Sequence, residues 1–174
     1  MTKPGSTAPP VAYVSLRILI VVNWLYGAAI LGLVIFANSY PAWFMKAIDV
    51  PPGMDPKPVM IALTAIASLG LLAVPLNHLI LTRLLRMVET VRRGDPFVAA
   101  NAYRLQAIAW ALLALQVLSI VIGSIGKAIS SRGFPIHLDA GFSASGWLAV
   151  ILMFVLARVF AEGTLMREDL EGTI

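Results

Sequence analysis

Cysteine is absent from this chain of 174 residues. That excludes disulfides, thiolate metal sites and cysteine nucleophiles together. Charge is scarce too: 13% of residues are charged, against about a quarter in an ordinary soluble domain. There are 2 histidines, His78 and His137, near opposite ends of the apolar runs. A haem held by two histidines of one chain is therefore excluded. His137 and Asp139 alone are too few for a metal site. No carboxylate lies inside an apolar run, and no H-E-x-x-H, G-x-S-x-G or glycine-rich phosphate loop occurs. Ser68, Ser119 and Ser124 lack a neighbouring base and read as helix-packing residues. The expectation is a protein that is not an enzyme and carries no cofactor.

What is present is apolar. Hydrophobic residues make up 59% of the chain, and the mean hydropathy is +0.87. Four runs, at about 18–37, 59–81, 107–125 and 143–160, approach the roughly 20 residues that cross a bilayer. The fourth is the shortest and needs Phe160 and its flanks to complete the crossing. The first run exceeds the apolar core of about 7–15 residues typical of a signal peptide, and Asn38-Ser39-Tyr40-Pro41 offers no A-x-A site. An uncleaved helix is therefore expected. The fold class is all-α: an integral membrane four-helix bundle forming one transmembrane domain over 1–174.

The 13 basic residues divide unevenly. Lys3 and Arg17 precede the first run, and Arg83, Arg86, Arg92, Arg93 and Arg104 separate the second from the third. Arg158 and Arg167 end and follow the fourth. Only Lys46, Lys57, Lys127 and Arg132 fall on the other side. The positive-inside rule places both termini and the middle loop in the cytoplasm. The pI of about 9.8 then reflects membrane flanks rather than direct nucleic-acid binding.

Between the runs, local signals predict caps and turns. Ser39 reads as the N-cap of a short helix with Pro41 in its first turn, and Trp43, Phe44, Ala47 and Ile48 on its interfacial face. A ligand-binding lid is the alternative for this segment. Pro75 interrupts the second run and frees backbone carbonyls, which Asn77 or a neighbouring helix can satisfy. Asn77 and His78 make a candidate intramembrane polar site, structural or proton- and ligand-linked. Leu81, Leu84, Leu85 and Val88 continue an apolar stripe beyond that run, with Glu89 four residues before Arg93. Gly94 reads as the C′ stop, Asp95 as the next N-cap and Pro96 as its first helical residue. Helices 2 and 3 thus form a hairpin reaching into the cytoplasm. Phe134, Ile136 and Leu138 alternate with Pro135 and His137, permitting a short strand.

The tail continues helix 4 outward to a stop at Gly172. Arg158 either snorkels to the headgroups or pairs with Glu162. Glu162 or Glu168 is placed to meet Arg93 or Arg104. Gly94-Asp95-Pro96-Phe97, followed by Asn101, Arg104 and Leu105, stands out in this region. So do Leu156-Ala157-Arg158-Val159-Phe160, Gly163, Arg167-Glu168 and the terminal Thr173-Ile174. In order and spacing these resemble domain-of-unknown-function family 2975, small bacterial membrane proteins with four predicted spans. The resemblance implies no established activity. Its members often accompany a small Cro-like helix-turn-helix regulator, which implies a membrane partner controlling a transcription factor from the bacterial inner membrane. The candidate docking surface is Arg86, Arg92, Arg93, Asp95, Phe97, Asn101 and Arg104 from the hairpin, with Arg158, Glu162, Arg167 and Glu168 from the tail. The alternative is a small oligomeric channel or transporter subunit. Small residues such as Ala28 and Gly32, or Ala107 and Ala111, allow close helix packing or homo-oligomers.

Overall fold

The computed structural model describes residues 8–48, 55–131, 133–134 and 140–171, with side chains from residue 11 to residue 167 of these. It is all helical: α1 Ala8–Ser39, α2 Pro41–Ala47, α3 Pro56–Arg92, α4 Ala99–Ser130 and α5 Ala144–Glu171. No strand occurs among the described residues. The alternating segment after Phe134 lies at 135–139, outside them, as do His137, Asp139, Arg132 and Gly172.

Four helices are long and apolar enough to cross a membrane. The chain is a multi-pass membrane protein. At about 1.5 Å per residue, the 37 residues of α3 span roughly 55 Å, and the hydrocarbon core is only about 30 Å thick. α3 is thus longer than one crossing requires; it stays helical past Leu81 to Arg92, and α5 likewise continues unbroken to Glu171.

The long helices pack in the order α1–α3–α4–α5. The bundle is an open row, since α1 and α5 at its two ends share no extensive contact. Close approach at the first crossing comes from Gly27, where an added Cβ would lie 3.0 Å from both methyls of Val74. Beside it Asn23 donates from Nδ2 to the Val74 carbonyl at 3.0 Å, just before Pro75. The bond ties α1 to α3 beside the proline, although the carbonyl that Pro75 leaves without its helical donor is that of Leu71, one turn earlier, and α3 runs unbroken through the proline.

At the lysine-bearing end the short helix starts one residue later than its sequence signal. α1 keeps Ser39, the N-cap position is Tyr40, and no side chain caps it. The reason is continuity: Tyr40 N donates to Phe36 O (2.9 Å) and Phe44 N to Tyr40 O (3.0 Å), so only a bend separates α1 from α2. Met45 and Ile48 pack on a cluster of Val59, Ala62, Ile129 and Phe134. Of the four residues expected on the interfacial face, Trp43 and Ala47 stay exposed while Ile48 joins the packing, and Trp43 stacks edge-on against Phe36.

Candidate functional site at the hairpin–tail junction

The turn joining α3 to α4 is built by backbone chemistry. Gly94 adopts φ +81°, which a side chain resists. Its N–H returns to Val91 O (3.0 Å), and the Asp95 N–H reaches Thr90 O (3.1 Å). These two bonds form a Schellman motif with Gly94 at C′, as its sequence position predicts.

The next helix departs from expectation. Asp95 is not its cap and Pro96 is not its first residue: α4 starts at Ala99, with Val98 in the N-cap position and no side-chain cap. Asp95 turns away because its carboxylate meets the Arg167 guanidinium of α5. A charged partner outcompetes a backbone N–H for the same oxygen.

Asn101 takes over the work of organising the hairpin. It is 1% exposed. Its Nδ2 donates to Thr90 Oγ1 and to Pro96 O, both at 2.8 Å, and its Oδ1 accepts from Arg104 Nη1 at 2.7 Å. Thr90 in turn donates to Met87 O, and Arg104 Nη1 extends to Arg86 O at 3.3 Å. One buried amide ties together the end of α3, the turn and the start of α4.

Two contacts of the tail with this turn stand out among the described residues. One is the Asp95–Arg167 pair. The other is Phe97, whose ring lies 5.3 Å from that of Phe160 and covers Gly163, where an added Cβ would come within 3.2 Å. The expected polarity is inverted: the hairpin supplies the acid and the tail the base. Glu162 is not available to Arg93 or Arg104, because Arg158 holds it at 2.7 Å, the alternative its spacing allowed. The Glu168 side chain lies outside the described residues. Glu89 and Arg93 form no ion pair, Arg93 being the helix cap. Arg92 leaves the junction for α1, its guanidinium 5.3 Å from the Tyr13 ring that Arg17 also faces at 4.9 Å. Beside the latch a groove of about 440 Å³ opens between α4 and α5, lined by Ala102, Tyr103, Gln106, Ala157 and Arg158 among others.

Of the intramembrane candidates, His78 accepts at Nδ1 from Trp24 Nε1 (3.2 Å), with the rings edge to face. Asn77 makes no side-chain hydrogen bond among the described residues. A second polar place lies deeper. Gln116 Oε1 and Trp147 Nε1 are buried without hydrogen-bond partners among the described residues, and the Gln116 amide lies where a Gly146 Cβ would stand. Trp24, Thr90, Trp147 and Tyr13 escaped the sequence reading because each acquires its role from a residue on another helix. No group of three or more metal-ligating side chains occurs among the described residues.

The family model described as "Protein of unknown function (DUF2975)" matches residues 55–174. The chain belongs to that family. The DUF2975 match takes in α3, α4 and α5 with the whole hairpin–tail junction, and leaves out α1 and α2. No curated protein and no solved structure matches this DUF2975 chain.

Proposed function

We propose that the protein is a non-enzymatic membrane partner, of the bacterial inner membrane, that docks a cytoplasmic helix-turn-helix regulator at its arginine-rich end. The observation that carries this reading is the contrast in how the junction is held. The hairpin is fixed by a buried polar network, whereas the contacts of the tail with the turn include a half-exposed ion pair and a ring contact. A rigid platform with a weakly held arm can change its surface at small energetic cost. Both termini lie in the cytoplasm in this reading, by the positive-inside rule. The groove between α4 and α5 gives a lipid chain or small apolar molecule a place to wedge the arm from the platform. Arg86, Arg92 and Arg93 supply exposed cations for an acidic partner face.

Co-purification in detergent with the regulator encoded beside the gene tests the proposal. Formation of a complex that Arg92→Glu/Arg93→Glu disrupts is the expected result. Absence of a complex, together with unchanged target transcription in that variant, rejects it.

A second reading, a subunit of a small oligomeric channel or transporter, draws support from the unpartnered Gln116 and Trp147 atoms and from the Trp24–His78 contact. Polar groups at membrane depth often line a permeation path. Flux in liposomes that Asn77→Leu or His78→Leu abolishes would favour it over docking.

A further inference from the structure

Arginines at the arginine-rich end differ in what they face. Arg158 and Arg167 hold carboxylates, and Arg17 and Arg92 lie over the Tyr13 ring. Arg83, Arg86 and Arg104 are different. They gather at the α3–α4 corner, and none of the three forms an ion pair among the described residues. Arg83 and Arg86 are three residues apart and share a face of α3. Both are close enough to Arg104 to repel it, and Glu89 offsets them only in part. Arg104 is nonetheless held in place, because its Nη1 donates to two neutral acceptors, Asn101 Oδ1 and Arg86 O. Its Nε and Nη2 donors make no hydrogen bond among the described residues.

Depth identifies what answers this charge. The apolar run of α3 ends near Leu81 and that of α4 begins near Ala107. Arg83 and Arg104 therefore stand about 3–5 Å beyond the hydrocarbon, in the headgroup layer. The anions presented at that depth are phosphodiesters. A guanidinium fork matches phosphate oxygens two at a time, which a lysine cannot do. Basic clefts between helices at this level bind acidic headgroups.

We propose that Arg83, Arg86 and Arg104 form a binding site for the phosphate of an anionic phospholipid headgroup. The site does not rest on the docking reading. It predicts a lipid bound to the α3–α4 corner whether or not a protein partner docks on the turn.

The test is titration of the full chain, purified in detergent, with dioleoylphosphatidylglycerol and with dioleoylphosphatidylcholine, read by native mass spectrometry. The anionic lipid is expected to bind about tenfold or more tighter than the zwitterionic one, and Arg83→Gln and Arg86→Gln each to cost about fivefold, the worth of one basic residue at a charged interface. Arg17→Gln removes the same charge from the same end on α1, and is expected to cost less than about twofold because it lies outside the site. Arg86→Lys keeps the charge without the fork and should fall between wild type and Arg86→Gln. The side chains of Arg83 and Arg86 make no hydrogen bond among the described residues, so these variants should melt as wild type does. Equal losses from Arg17→Gln and Arg86→Gln would reduce the site to diffuse attraction and overturn it, as would equal binding of the two lipids. Displacement of the lipid by glycerol phosphate at comparable concentration would assign the site to a soluble anion instead of a lipid.

Discussion

The Asn101 amide makes three hydrogen bonds, two to side chains and one to a backbone carbonyl, at 1% exposure, so its loss cannot be repaired by water. Asn101→Ala strands the Pro96 carbonyl and deprives Arg104 of an anchor. Two neutral bonds at about 1 kcal/mol and one charge-assisted bond at about 1.5–3 predict a loss of roughly 3–5 kcal/mol, checked by thermal unfolding in detergent. Asn101→Asp keeps the acceptor for Arg104 and loses both donors, so it should melt above the alanine variant. If the two melt together, the Arg104 bond contributes nothing. Two glycines give a second residue-scale contrast. A Cβ at Gly123 would lie 2.6 Å from the Ala140 carbonyl oxygen, a backbone atom that Ser119 helps hold through its bonds to Gly141. At Gly146 the obstacle is the movable end of Gln116. Gly123→Ala is expected to cost about 1–3 kcal/mol by overpacking, and Gly146→Ala distinctly less. The reverse order in melting temperature would contradict the packing of α4 on this loop.

At the scale of elements, the ion pair between tail and hairpin is of ordinary surface strength. Asp95 and Arg167 are each close to half exposed (43% and 45%). A double-mutant cycle of Asp95→Asn and Arg167→Gln should give a coupling below about 1 kcal/mol, fading at molar salt. A coupling of several kcal/mol would mean a rigid junction and would remove the basis for a movable arm. This junction also marks the boundary of what the sequence makes legible. The four long helices follow from runs of apolar residues, and the turn follows from Gly94, because both depend on neighbours in sequence. Arg158–Glu162 was legible for the same reason, lying four residues apart. Asp95 reads as a cap from its neighbours alone, because the competitor for its carboxylate, Arg167, stands 72 residues away. Ser39 failed similarly: its cap signal was genuine in composition, yet the backbone bonds from Phe36 to Phe44 carried α1 past it. Asn101 could be singled out only through the resemblance, since nothing local distinguishes a buried asparagine from a solvated one near a helix start.

For the whole molecule, the open row and the uneven charge have a common consequence. Each span buries few of its own residues against its neighbours, from 6% of the α1 window to 22% of the α4 window. Lipid or further copies must therefore cover most of the apolar surface, and the charged ends decide how the row sits in the bilayer. The absence of cysteine makes that orientation open to direct measurement, because a single introduced thiol is the only one in the chain. Lys46→Cys on α2 and Arg93→Cys at the α3–α4 turn place thiols at opposite ends of the row, both at exposed positions. In intact cells freed of outer barriers, a membrane-impermeant maleimide should label the first and leave the second until the membrane is opened. Labelling of Arg93→Cys from outside would invert the row. The hairpin–tail junction would then face away from every cytoplasmic regulator, and the docking proposal would fall with it. The phospholipid site at the α3–α4 corner would survive the inversion, since anionic headgroups border both faces of a bilayer. The labelling pattern thus separates the two proposals before either partner is identified.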